Sequence, residues 1–328
     1  MQYQKAIRSL TDAVAKRQAI LFVGAGVSMS VGLPSWASLI AYMQSDLGIE
    51  RSTRDHNRRS YQEIAELYCL RHGSICPLVD WMSREWRVGP DRLRKSDLHR
   101  LIVNLDFPLV YTTNYDGNLE DAYQAFDEPY VKITGAADLA AAAAGVTQIV
   151  KFHGDFSNPD SLVITESDYF DRLSFDAPMD IKFRGDAFAS TLLFVGYSMT
   201  DLNIRFLLHR LWKTWRETGE ERARPPLYIV MHDPDDVQKH VLDRWGVTVI
   251  EGRGSNAEES LLLFLQELKN SLADLKASVR SVERLPSNRD SRQTKPDDRA
   301  LEEPDTSSAT SSSLHGMSAA AFDQVPKS

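Results

Sequence analysis

Ala19-Ile20-Leu21-Phe22-Val23 runs directly into Gly24-Ala25-Gly26-Val27-Ser28, and Gly32-Leu33-Pro34-Ser35-Trp36 follows shortly after. An unbroken apolar run closed by glycine has the length and composition of a strand buried on both faces. Its glycines let a backbone turn approach a ligand closely and expose amides to it, as pyrophosphate-binding turns do. A GxGxxG fingerprint would need glycine at 29, where Met29 stands, and a P-loop would need Gly-Lys-Ser/Thr, which is absent. The turn is therefore a nucleotide-binding candidate of neither type, and alone it also fits a plain strand-to-helix turn.

Outward from this strand, runs at 109–112, 148–152, 192–195, 227–231 and 247–250 are similarly β-rich and bounded by Gly, Asn, Asp or Pro. Helix-length segments separate them, which predicts an α/β fold with a parallel sheet flanked by helices. Between Trp36 and Leu105 no strand pattern appears, whereas Tyr61, Ile64, Ala65, Tyr68 and Cys69 keep helical spacing. The expectation is a small helical module at about 37–105, inserted after the first crossover. Leu261, Phe264, Leu265, Leu268, Leu272, Leu275 and Val279 form one apolar helix face. From about Leu285 the composition turns to Ser, Asp, Arg, Pro and Thr, so 285–328 is expected to be a disordered tail behind a domain at 1–284.

The 328 residues carry 38 Lys and Arg against 46 Asp and Glu, a net charge of −8, which argues against a mainly phosphate-driven nucleic-acid binder. Arg51, Arg54, Arg58, Arg59, Arg84, Arg87, Arg92, Arg94 and Lys95 cluster in the insert, but Asp55, Glu63, Glu66, Glu85, Asp91 and Asp97 are interspersed. That is the pattern of a solvated mixed-charge face. Cys69 and Cys76 make neither a disulfide framework nor paired CxxC ligands, so a reduced, metal-free protein is expected. No apolar run approaches the ~20 residues of a membrane span. The first residues include Gln2, Gln4, Lys5 and Arg8 rather than a signal-peptide core, which places the chain in the cytoplasm.

The ends of the other strands hold the remaining chemistry. Thr112-Thr113-Asn114-Tyr115-Asp116 sets Asn114 and Asp116 two apart, where open α/β sheets bind ligands; both also suit turns and caps for a helix starting near Asn118. His153, in Lys151-Phe152-His153-Gly154-Asp155, holds the equivalent position on the next run. Gly196 and Ser198 follow Phe194-Val195, and then come Asp201, Asn203, Ile204 and Arg205. Asp201 either bonds a ribose or pairs with Arg205 at i+4. Asp233, in His232-Asp233-Pro234, either reaches a nucleotide base or starts the turn that Pro234 continues. His232, Asp233, Asp235 and Asp236 are too close along one loop to converge on a metal ion.

In this order, Gly24-Ala25-Gly26-Val27-Ser28 with Gly32-Leu33-Pro34, Thr113-Asn114-Tyr115-Asp116, His153-Gly154 and Gly196-Tyr197-Ser198 resemble the NAD-binding motifs of the sirtuin fold over about residues 15–255. Asp201, Asn203, Ile204 and Arg205 are similar to its SIR2-like branch, in particular to bacterial SIR2-like NAD+ hydrolases of anti-phage defence. The resemblance implies a sirtuin-like Rossmann-type sheet, with Gly24, Ala25, Gly26 and Ser28 on the pyrophosphate. It also implies Asn114 and Asp116 at the nicotinamide ribose and Gly196 and Ser198 near the adenosine ribose; Asp201 and Asp233 stay NAD-contact candidates on the residue reading above.

Two departures separate the chain from protein-deacylating sirtuins. A zinc ribbon cannot be built from Cys69 and Cys76, its place being taken by the helical insert. Pro34-Ser35-Trp36 also stands where deacylases carry an Asp-Phe-Arg segment. The implied reaction is cleavage of the nicotinamide–ribose bond of NAD+, with Asn114 fixing the ribose and a water near C1′. His153 would be the general base, its pKa near neutral suiting that role. A deacylase and a non-catalytic NAD or ADP-ribose sensor are the alternatives. Family context further implies a homo-oligomer, with a HerA-type ATPase or an Argonaute-like protein as partner, and no direct role for nucleic acid or membrane.

Overall fold

The computed structural model describes residues 2–49, 60–143, 145–199 and 201–283. The expected tail at 285–328, and Arg51, Arg54, Arg58 and Arg59, lie outside them.

The chain opens with α1 (Gln2–Ala15), β1 (Ala19–Val23) and the short α2 (Ala25–Met29). Then come α3 (Trp36–Asp46), α4 (Tyr61–His72), α5 (Cys76–Glu85), α6 (Pro90–Arg94) and α7 (Asp97–Asn104), with no strand among the described residues between them. The sheet resumes with β2 (Leu109–Thr112), α8 (Asn118–Ala125), β3 (Tyr130–Ile133), α9 (Ala136–Ala141) and β4 (Thr147–Lys151). It closes with α10 (Glu166–Asp171), α11 (Pro178–Ala189), β5 (Thr191–Val195), α12 (Leu202–Thr218), β6 (Leu227–Met231), α13 (Asp236–Arg244), β7 (Val247–Glu251) and α14 (Ala257–Glu283). Helix starts follow their capping residues: Ser35, Ser96, Asp201 and Asp235 accept from first-turn amides, and Ser60 with Glu63 forms a capping box.

The strands make one sheet in the order β3-β4-β2-β1-β5-β6-β7, each neighbouring pair parallel. This is the Rossmann-type α/β sheet expected, with one strand more than the sequence pattern marked. β3 was missed because it is a four-residue edge strand in which Lys132 interrupts the apolar run and only Ile133 is buried. The fourth and fifth strands also begin one residue earlier than expected, at Thr147 and Thr191.

Strand alternation divides the core between two faces. Leu21 and Val23 pack beneath α1, α7, α8 and α14, where Leu261, Phe264, Leu265, Leu268 and Leu272 supply the expected apolar stripe. Ile20 and Phe22 point the other way, to Phe183 of α11 and to Ile204 and Leu207 of α12. A third core, with Leu39, Met43, Ile64, Tyr68, Leu78 and Met82, belongs to the helical segment; Tyr115, Leu162 and Ile164 join it from the loops above the strands. No helix among the described residues is long and apolar enough to cross a membrane.

Register positions the site. Val23 pairs with Thr112 on one side and Val195 on the other, and Thr112 pairs with Lys151. Four strands therefore end level, and the residues that follow them emerge side by side. The strand order reverses at β1 and β5, the switch point where open α/β sheets leave a crevice.

Candidate active site

A cavity of about 540 Å³ fills that crevice, within the range of cofactor-sized pockets. Ala25, Ser28, Asn114, Asp116, His153, Gly196, Ser198 and Asp201 all line it. The helical segment closes the opposite side with Trp36, Tyr61, Gln62 and Trp86.

The glycines of the first turn act on the neighbouring loop. A Cβ on Gly24 would lie 2.6 Å from the carbonyl oxygen of Gly196, and one on Gly26 would lie 3.0 Å from the same atom. Gly26 N donates to that oxygen at 3.0 Å, and Gly24 N donates to Val195 O at 2.9 Å. Gly196 takes φ +70, a left-handed conformation that glycine adopts without a side-chain penalty. The two turns are thus packed backbone to backbone, and this contact explains Gly24 and Gly26 on structural grounds. Ala25 and Ser28 supply the surface facing the cavity.

Asn114 is buried and reaches across to the first turn, its Nδ2 donating to Gly24 O at 3.1 Å and Ser28 Oγ at 3.0 Å. Because a main-chain carbonyl only accepts, the atom facing it must be the amide nitrogen, which leaves Oδ1 as the group available to a ligand. Thr112 Oγ1 fixes the loop by accepting from Asn114 N at 3.0 Å. Asp116 does what a capping residue does: its Oδ1 accepts from Asn118 N at 3.1 Å at the start of α8, while the residue still lines the cavity.

His153 is 2% exposed, and its Nδ1 stands 3.7 Å from Asp201 Oδ2. Its Nε2 is buried and has no hydrogen-bond partner among the described residues. Burial moves its pKa down to about 4, with Arg172 adding to the shift and Asp201 opposing it. The near-neutral value expected is therefore not found, because burial against Phe152 and Tyr169 removes the water that would stabilise the cation, by more than Asp201 restores. At physiological pH the imidazole is neutral: an acceptor, and a weak base. Asp201 caps α12 through Oδ1, which accepts from Asn203 N and Ile204 N at 2.8 and 3.2 Å, and Tyr169 Oη donates to its Oδ2 at 3.3 Å. The alternative Asp201–Arg205 pair does not form; the Arg205 guanidinium lies 5.7 Å over the Trp245 ring instead.

The SIR2-like domain family model matches residues 108–250, which hold Asn114, His153, Gly196 and Asp201. Over those residues the chain is similar to a SIR2-like domain. A protein named NAD(+) hydrolase ThsA from Enterococcus faecium is 30% identical over 235 residues, covering 70% of this chain and 46% of that protein. Another of that name from Bacillus cereus (strain MSX-D12) is 29% identical over 212 residues, covering 62% and 42%. Defense-associated sirtuin 2 of Bacillus subtilis is 26% identical over 247 residues, covering 73% of this chain and 23% of that protein. The chain thus spans less than half the length of these relatives. A solved Sir2 enzyme structure overlays with a TM-score of 0.44 and 14% identity, covering 83% of this chain and 98% of that one, too little likeness to bear on the fold.

Of the expected contacts, Gly24 and Gly26 back the cavity through the neighbouring turn without lining it, and Asp233 stays away from it. It is exposed in the loop after β6 and takes φ 47, so it serves the turn that Pro234 continues. Tyr197, Tyr169 and Trp86 are among the lining residues to which the sequence reading gave no role. Tyr197 Oη donates to Val23 O at 3.2 Å and accepts from Thr113 Oγ1 at 2.7 Å, tying three strand ends together. Tyr169 sits on α10, far from any strand end, and Trp86 just follows α5. Tyr197 lies inside a quoted motif, whereas Tyr169 and Trp86 carry no sequence signal beyond an aromatic residue and only the fold brings them to the cavity.

Proposed function

We propose that this SIR2-like chain hydrolyses NAD+ at the nicotinamide–ribose bond, giving nicotinamide and ADP-ribose, and does so in anti-phage defence by depleting NAD+. The observation that carries the reading is the meeting of Asn114, His153 and the Gly24 and Gly196 turns around one cavity at the switch point. The names of its relatives, NAD(+) hydrolase and defense-associated sirtuin, support the same reading.

In this scheme the pyrophosphate lies along Ala25 and Ser28, the adenosine ribose lies near Gly196 and Ser198, and Asn114 Oδ1 takes a hydroxyl of the nicotinamide ribose. Trp36 and Tyr115, with ring centroids 6.2 Å apart and planes at 51°, offer aromatic surface for the nicotinamide where deacylases use other residues. Nicotinamide leaves with the electron pair of the C1′–N bond and so departs neutral, while C1′ takes on oxocarbenium character. Water then bonds to C1′ and releases one proton. So electrophilic a carbon needs an oriented water more than a strong base. A neutral His153, accepting a hydrogen bond from that water or a ribose hydroxyl, suits the task despite its low pKa.

Family context alone supports a homo-oligomer with a HerA-type ATPase or an Argonaute-like partner, and the sequence pattern alone supports a cytoplasmic location. The test is to incubate the protein with NAD+, with and without an acyl-lysine peptide, and quantify nicotinamide, ADP-ribose and cyclic ADP-ribose. Equal release of nicotinamide and ADP-ribose without peptide is expected; release only in step with peptide deacylation would replace hydrolysis by deacylation.

A further inference from the structure

The geometry points to Asp201 and Tyr169 as positioning residues that hold the His153 imidazole in its Nδ1–H tautomer and so present Nε2 as the acceptor; this rests on the hydrolase reading above. Asp201 is doubly committed. Its Oδ1 closes the start of α12, and its Oδ2 is left facing both Tyr169 Oη at 3.3 Å and His153 Nδ1 at 3.7 Å.

An ionised carboxylate only accepts, so the ring nitrogen turned toward it is the one that carries hydrogen. At 3.7 Å the contact is electrostatic rather than a formed hydrogen bond, a spacing common before a substrate tightens a site. Tyr169 donates to the same oxygen and packs edge-on against the imidazole, with centroids 5.9 Å apart and planes at 68°. It thereby blocks both rotation of the ring and drift of the carboxylate.

The same stretch of chain secures the histidine backbone. Arg172, three residues beyond Tyr169, donates to the carbonyl oxygen of Phe152 at 2.8 Å and is itself held by both oxygens of the wholly buried Asp180. α10 is in turn fixed at its start by a Thr165–Asp168 capping box. We therefore assign the Asp201 carboxylate to His153 rather than to a ribose.

Asp201→Asn separates these roles, because asparagine caps a helix as well as aspartate does but can turn an N–H toward Nδ1 and so force the proton onto Nε2. Two readouts apply. Nitrogen-15 NMR of histidine-labelled protein, with His153 assigned by substitution, reports the tautomer whether or not the protein turns over NAD+. Kinetics and NAD+ affinity report the consequence.

The wild type is expected in the Nδ1–H form and Asp201→Asn in the Nε2–H form, with kcat for nicotinamide release lowered about 10²-fold or more and NAD+ affinity little changed. Tyr169→Phe is expected to lower kcat by about tenfold without raising KM, and it carries the kinetic test if Asp201→Asn does not fold. A wild-type Nε2–H tautomer, or loss of NAD+ affinity with kcat retained in Asp201→Asn, would overturn the assignment. A wild type that leaves NAD+ intact would instead sink the hydrolase reading, with the tautomer still testable by NMR.

Discussion

Lys151, at the end of β4, donates from Nζ to the main-chain oxygen of Asp116 at 2.5 Å, and so ties the loop that carries Asn114 to the strand that leads into His153. The lysine is wholly buried, with Glu120 Oε1 at 3.3 Å and Asp155 Oδ2 at 3.5 Å. Burial works against its charge, yet Glu120, Asp116 and Asp155 together raise the ammonium above the ordinary lysine range. Burial in turn raises the Glu120 carboxyl, against the pull of Lys151.

Replacing Lys151 by methionine strands Glu120 in the interior, whereas Asp155 retains Lys132 at 3.1 Å. The expected loss is about 3–5 kcal/mol of stability. Lys151→Met with Glu120→Leu should recover much of it, because an apolar pair leaves no buried charge uncompensated. Denaturant unfolding of the wild type and these two variants checks this; a Lys151→Met variant as stable as the wild type would refute the network.

The contact between the two glycine turns predicts a cost at either partner. Gly196→Ala combines a left-handed backbone at φ +70 with a Cβ only 2.9 Å from Val27 N. Gly24→Ala drives a Cβ against Gly196 O at 2.6 Å. Each should lower stability by about 1–3 kcal/mol, and the double variant should cost less than the sum because both act on one contact. Thermal unfolding reads both effects, and additive losses would show that the turns do not share it.

How much of this was legible in the sequence depends on where each residue sits. β1 and its turn could be read because a strand buried on both faces must be apolar throughout and must end in residues that allow a sharp turn. Asn114 and His153 could be placed at the cavity because residues directly after such strands emerge at the switch point, although a turn or cap was an equal reading of Asn114. Asp233 looked the same on paper, but its loop after β6 turns outward, and no local pattern records that. Tyr169 was invisible because its role arises from the packing of α10 over His153, a contact between elements rather than a feature of either. The low pKa of His153 was likewise beyond reach, since it depends on how completely the packing around the ring excludes water.

Two buried histidines give a pH prediction with a defined sign. His99 on α7 is wholly buried, with Nδ1 at 2.8 Å from Ser96 Oγ, and burial lowers its pKa to about 4, as it does for His153. A folded pKa below the unfolded value of about 6.5 means that protons favour the unfolded chain. Their effect is absent above about pH 6.5 and grows as the pH falls toward 4, reaching on the order of 3 kcal/mol for each group. Denaturation midpoints between pH 7.5 and 4.5 should therefore fall less steeply for His99→Gln than for the wild type. Parallel curves would contradict it.

The account stands or falls on Asn114 and His153 acting together in the cavity. The most direct measurement is nicotinamide release from NAD+ by wild type, Asn114→Ala and His153→Ala, with NAD+ affinity determined alongside. The predicted result is release by the wild type, a loss of at least about 10²-fold in each variant, and NAD+ affinity within about fivefold of wild type in both. Variants that cleave NAD+ as fast as the wild type, or a wild type that does not bind NAD+ at all, would contradict it.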